Sequence, residues 1–477
     1  MKKRVFKIAL GFLLVLGVTP TLTSCVDEDL NINEKSVSVV PSAHLLGSGL
    51  YQTARNITTP NVNSNNYVFF TQQLSETGYV DEVNYTFNRN QPRTHFSNMY
   101  VYSIGNFKQA KISLEQEVNS SQEIADNKFA TLEIAELLVW ENLVNTYGNV
   151  PYSEAFKADE TKLYSPKYDD AKTIYVDLLN RLNAAIDMID VTKGGYTLGG
   201  DFAFGGKMDS WKKTANALKL RLGLNLADTD ATLAKQTVES AYQSGLYQSS
   251  TEAFNFKFDT GIYFSPFYSD FVASGRKDFT PSTIVIDLMK SKNDARLDVW
   301  FTTVDGQFIG GPFGSIHPVA SVSNVKDFFL TKEGPIGVVS YTEVLFMLAE
   351  AAQRGFSVGN NAEYYYENGI RASFQESGIL GSADAYIAAN RYNPSNWKKS
   401  IGEEAYISLF TRGYATWNFT RRLDYPALVA PSTAANPLPV RMPYSDQEYL
   451  LNADNVNAAA SAIGGDKSGT KLFWDIF

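Results

Sequence analysis

The chain has a single cysteine, Cys25, in 477 residues, so no internal disulfide can form. Its three histidines, His44, His95 and His317, lie far apart in sequence, and none has a companion at metal-ligand spacing. Neither a zinc site nor a His-based triad is therefore expected. Acidic loops are plentiful, but none carries the DxDxDG pattern of an EF-hand, and we expect no metal and no cofactor. Clustered Lys and Arg are missing as well. With a net charge of −9 and a pI near 5.1, the chain lacks the basic surface that nucleic-acid phosphates require. Alternating barrel strands are absent, and no Gly/Ser/Pro-rich linker follows the first forty residues. Residues 41–477 are thus expected to form one large domain. Ser-x-x-Lys occurs at Ser210, Ser323 and Ser395, but it is short enough to arise by chance and lacks its companion motifs. With 51 acidic residues, a glycosidase-like carboxylate pair is the one enzymatic reading left open. The expectation is a binding protein, not an enzyme.

The only long apolar run is Ile8 to Val18, preceded by Lys2, Lys3, Arg4 and Lys7 and interrupted beyond its end by Pro20. It is shorter than the roughly 20 residues a membrane span needs, and it leads to Leu22-Thr23-Ser24-Cys25. Residues 1–24 therefore read as a lipoprotein signal peptide, with Cys25 as the lipidation site. Residues 25–40, with Asp27, Glu28 and Asp29 at their start, read as a flexible tether.

Helical periodicity dominates the rest. Ile174, Leu178, Leu182, Ala185 and Ile189 recur at three- and four-residue spacing and predict a helix over 168–190. Similar patterns predict helices over 94–117, 127–147, 209–227, 232–244, 341–356, 360–377 and 402–418. The fold class is all-α: degenerate tetratricopeptide-like helix pairs form a scaffold, each pair stacking on the next to bury its apolar stripe. Between about 246 and 340 the helical signal fades into a loop-rich insert, where Phe254, Phe256 and Phe258 alternate and Val299 to Thr303 looks extended. Tyr147-Gly148-Asn149-Val150-Pro151 reads as a helix stop, with Gly148 free to take a positive φ. Asp294 and Arg296 read as a local ion pair, and Glu343 and Glu350 as solvent-facing or capping residues.

Several segments resemble the SusD/RagB family. Trp140 to Phe156, WENLVNTYGNVPYSEAF, is similar to its YGDIPYSEA helix end. Asp209-Ser210-Trp211-Lys212-Lys213 with Leu218 to Leu222 resembles its W.K.aNsLklRl helix. Asn293-Asp294-Ala295-Arg296-Leu297 resembles its DPRL turn without the proline, and Ser340-Tyr341 through Ala351 resembles Y.E..fllAEA. Pro439 to Tyr444 and the closing Trp474-Asp475 fit too, in the same order along the chain. The resemblance implies a lipid-anchored protein on the outer face of the outer membrane, which captures a glycan or a peptide and delivers it to a SusC-like TonB-dependent transporter. A structural or adhesive surface protein is the competing class.

A glycan site needs an aromatic platform beside Asn, Asp, Gln or Arg groups that bond hydroxyls. Two loop regions qualify. Residues 65–89 hold Tyr67, Tyr79, Tyr85 and Phe87 with Asp81, Asn84 and Asn88. Residues 263–279 hold Tyr263, Phe267, Tyr268, Arg276 and Asp278. Trp300 and Phe313 are weaker candidates.

Overall fold

Short polar side chains open half of the long helices by accepting the backbone N–H groups that a first turn leaves unpaired. Ser121, Asp170, Asp230, Ser340 and Asn361 each do so. In the computed structural model, which describes residues 40–87, 90–258, 264–334 and 337–477, the long helices are α1 (Ser42–Thr58), α2 (Gly105–Glu115), α3 (Gln122–Tyr147), α4 (Ala171–Asp187), α5 (Met208–Asn225), α6 (Ala231–Ser244), α7 (Tyr341–Gln353), α8 (Ala362–Glu376), α9 (Trp397–Ser408) and α10 (Gly413–Leu423). They pack as the pairs α1–α2, α3–α4, α5–α6, α7–α8 and α9–α10, and each pair leans on its neighbour. Pro41–Phe477 is one compact unit. Among the described residues, three two-stranded antiparallel sheets trim the scaffold. They join β1 (Leu74–Glu76) to β5 (Phe279–Pro281), β2 (Val150–Pro151) to β3 (Tyr168–Asp169), and β4 (Phe254–Asn255) to β6 (Gly337–Val339).

The pairs are joined through buried charge as well as apolar contact. Glu136 of α3 meets Lys111 of α2 at 2.7 Å and Arg181 of α4 at 3.1 Å. Arg221 of α5 lies 3.1 Å from Glu141 of α3 and 2.7 Å from Glu343 of α7. Glu350 of α7 takes Arg422 of α10 at 2.8 Å. Burial alone would raise Glu136, but Lys111, Lys108 and Arg181 outweigh it and hold the carboxyl at about 2. Glu141 goes the other way, because burial outweighs its share of Arg221.

These contacts correct one expectation: Glu343 and Glu350 are fully buried ion-pair partners, not solvent-facing residues. A carboxylate inside a helix seam has the same sequence signature as one outside it until its partner from another helix is known. Asp294 and Arg296 do pair, at 2.6 Å and fully buried, and Gly148 ends α3 with φ +84.

Other boundaries moved. The expected helix over 402–418 is two helices, α9 and α10, broken where Thr411 takes φ +75 and the Thr416 hydroxyl donates back to the Leu409 carbonyl. Residues 299 and 300 end a short helix, Arg296–Trp300, and extended backbone starts only at Phe301. The insert also holds a helix at Thr283–Ser291, whose run of Ile284, Val285, Ile286, Leu288 and Met289 reads equally well as a strand. Helix α1 was not anticipated because glycines weaken its pattern. Gly47 and Gly49 are there because the rings of Phe202 and Phe107 lie directly against them.

Candidate functional site

Strand β1 runs against β5 with Leu74 opposite Pro281, Ser75 opposite Thr280 and Glu76 opposite Phe279. This pairing carries the chain from one candidate loop directly alongside the other, and the Thr77 amide donates to the Asp278 carbonyl at 2.8 Å to extend the register. Where the two loops emerge they form a shallow cleft of about 120 Å³, with Tyr79 from the first loop, Arg276 and Asp278 from the second, and Asn61 and Asn63 from the turn after α1.

Tyr79 is the most solvent-facing of the described candidate aromatics, with 64% of its surface exposed. Arg276 is exposed and held to Asp278 at 2.5 Å. Asp270 anchors the far wall, accepting from Thr59 Oγ1 at 2.9 Å and Asn61 Nδ2 at 2.8 Å. Burial raises its pKa despite those donors. Beneath the cleft Phe267 stacks on Phe271 at 5.6 Å, and Phe271 and Phe69 both pack on Phe279. The polar rim thus stands on a rigid aromatic floor.

The other candidates are spent on structure. Tyr67 is wholly buried in the scaffold, with its hydroxyl bridging His95 and Thr146. Burial drives its pKa up and that of His95 down to about 3. Tyr85 is also buried, accepting from Gln72 Nε2 at 2.7 Å. Asn84 ties three segments together, donating to the carbonyls of Val80 and Gly314 and accepting from Thr433. Phe87 packs on Phe70, and Phe267 lies in the floor just described. Tyr268 is half-buried with Phe264 beneath the Lys332 ammonium, outside the cleft lining. Trp300 is buried among Phe329 and Phe410, and Phe313 rests against Tyr85. These rings are buried because their segments fold back onto the scaffold, Tyr67 on the short helix Tyr67–Phe70 and Phe267 and Tyr268 on the short helix Pro266–Tyr268, where apolar residues follow the same solvation rule as in the long helices. Cys25, Asn88 and Tyr263 lie outside the described residues.

Sequence reasoning missed Asn61, Asn63 and Asp270. A signal existed in the carboxamide-rich stretch Asn61-Val62-Asn63-Ser64-Asn65-Asn66, which adjoins the first loop and follows a helix. Among the described residues no group of His, Cys, Asp or Glu is arranged to hold a metal ion, and no helix is long and apolar enough to cross a membrane.

Comparison with known proteins shows that the fold recurs. A chitin-binding protein of known structure superimposes with a TM-score of 0.80 at 23% identity, over 92% of this chain and 100% of its own. A chitin-binding SusD homologue from Flavobacterium johnsoniae gives 0.75 at 22% identity, over 90% and 98% of the two chains. A SusD homologue from Bacteroides ovatus gives 0.75 at 21%, over 91% and 98%. No curated protein sequence matches the chain. Residues 34–445 match the SusD-like family model described as starch-binding and associating with the outer membrane, and the chain belongs to this SusD-like family.

Proposed function

We propose that the chain is a cell-surface binding lipoprotein that captures a glycan at the cleft between its two loop regions and passes it to a SusC-like TonB-dependent transporter, without cleaving it. In this reading residues 1–24 direct export, Cys25 carries the lipid, residues 25–40 are the tether, and 41–477 are the binding domain at the outer membrane. The observation that carries the reading is the convergence across β1–β5. An exposed tyrosine, an arginine and two asparagines meet in a cleft open to solvent, on the scaffold of a family described as starch-binding. The cleft is below the roughly 300 Å³ at which pockets begin to enclose a small molecule. A ligand would lie across it, as a polymer can, with the Tyr79 ring against a sugar face and Arg276 and the asparagines on hydroxyls. Asp270 and Asp278 are engaged by Thr59, Asn61 and Arg276, which suits positioning more than acid–base work.

Two structural neighbours bear names that call them chitin-binding, so chito-oligosaccharides lead the probe panel, followed by malto- and cello-oligosaccharides and peptides. Tyr79→Ala and Arg276→Ala are each expected to weaken glycan binding roughly tenfold, the scale of a lost stacking or charged hydrogen bond. Thermal stability should hold, because both side chains are exposed. Wild-type affinity in both variants, release of reducing ends, or binding of peptides alone would refute the reading. Co-purification of a large barrel protein with the membrane-anchored chain tests the transporter.

A further inference from the structure

A second cavity among the described residues lies where the α5–α6 pair meets the α7–α8 pair. It measures about 340 Å³ and is lined by Tyr242 and Gln243 of α6, Tyr341 at the start of α7, and Asn360, Tyr364 and Asn368 around α8, over a floor that includes leucines. None of its lining residues is charged, in a chain that is 19% charged. Four other cavities among the described residues each have Lys, Arg, Asp or Glu in their walls.

Its aromatic wall is built and braced. Tyr364 is 49% exposed and meets Tyr365 edge-on at 5.3 Å, and the Tyr365 hydroxyl is tied to the Val358 carbonyl. Beside Tyr365, Tyr242 lies so close to Gly359 that a Cβ there would sit 2.8 Å from Tyr242 Cζ. Gly359 has φ +86, so the chain turns away and leaves the ring its place. The carboxamides are partly unspent. Asn368 donates its Nδ2 to the Tyr364 carbonyl at 2.7 Å while its Oδ1 takes no donor from the described residues, and the Gln243 side chain makes no hydrogen bond with them.

Ring faces beside free amide oxygens, with no charged residue in the lining itself, match a ligand with apolar C–H faces and neutral hydroxyls. We propose that this groove is a second binding site, for an uncharged oligosaccharide; the ligand class rests on the function proposed above. A peptide of ordinary composition carries charges for which the groove has no partner, and an acidic saccharide would bury its carboxylate unpaired. Two sites on one chain would favour long glycans over short ones, because the second contact of a bound polymer forms at high effective concentration.

Calorimetric titration of the full chain with chitohexaose, maltohexaose and cellohexaose tests this. One of these should fill two sites on the wild type, one on Tyr364→Ala and one on Tyr79→Ala/Arg276→Ala, while Tyr364→Phe, which keeps the ring, stays within about twofold of wild type at both sites. A loop variant that loses all binding while Tyr364→Ala behaves as wild type would overturn the groove and leave the proposed function standing. Loss of all binding in Tyr364→Ala with unchanged loop variants would support the groove and remove the cleft assignment. Uptake of a charge-free peptide with no uptake of any hexasaccharide would overturn both.

Discussion

Replacing Glu136 with Gln probes how this scaffold is held together. The substitution keeps shape and the oxygen that accepts from Trp140 Nε1 at 2.9 Å, but removes the charge between Lys111, Arg181 and Lys108. A carboxyl held at about 2 against an ordinary 4.5 stabilises the folded state by about 3 kcal/mol, at about 1.4 kcal/mol for each pH unit. Glu136 has no exposed surface, so solvent screening does not erode this, although nearby Glu133 keeps part of the cations' pairing and the expected loss is about 2–3 kcal/mol at pH 7. Because the folded pKa is depressed, the contribution is complete above pH 4.5 and disappears as pH falls from 4.5 toward 2. Urea unfolding of wild type and Glu136→Gln at pH 7, 5, 4 and 3 should therefore give a difference that is constant down to about pH 5 and then shrinks. A difference independent of pH, or below about 0.5 kcal/mol at pH 7, would refute the reasoning.

Arg296→Met should cost about 3–5 kcal/mol in the same assay, because it leaves Asp294 charged and buried and frees the hydroxyls of Ser373 and Ser408 from their donor. A cost below 1 kcal/mol would mean that Lys292, beside Glu404, takes over the pairing. Gly49→Ala should lower the thermal midpoint even though alanine is the better helix former by about 1 kcal/mol. Its Cβ would lie 2.8–2.9 Å from Phe107 ring atoms, and overpacking of this kind costs about 1–3 kcal/mol. Gly49→Ala with Phe107→Leu should recover most of the loss, and a raised midpoint in Gly49→Ala alone would contradict the packing argument.

The helical periodicity of the sequence was enough to predict the scaffold, because an amphipathic helix repeats its signal over many residues. Helices α3 to α8 lie within a few residues of where the apolar spacing puts them. The helix stop at Gly148, the Asp294–Arg296 pair and the family resemblance were legible for the same reason: each is written in consecutive residues. The two candidate regions were legible only in part, since each also holds a short helical stretch, at Tyr67–Phe70 and from Pro266 to Ala273.

Which loop residue faces solvent was not legible. Tyr67, Tyr79 and Tyr85 look alike in sequence, yet only Tyr79 is exposed, because Tyr67 packs among His95, Tyr414 and Trp417 and Tyr85 packs against Phe313. The charges behave the same way. Glu136, Glu141, Glu343 and Glu350 are acidic residues on helices like many others, and they become inter-helix ties only because Lys111, Arg181, Arg221 and Arg422 arrive from distant positions in the chain. The sequence by itself determined the fold class, most of the long helices and the family, all carried by local spacing. Tertiary structure alone decided burial and charge pairing, and with them the candidate cleft, because each depends on contacts between segments tens to hundreds of residues apart.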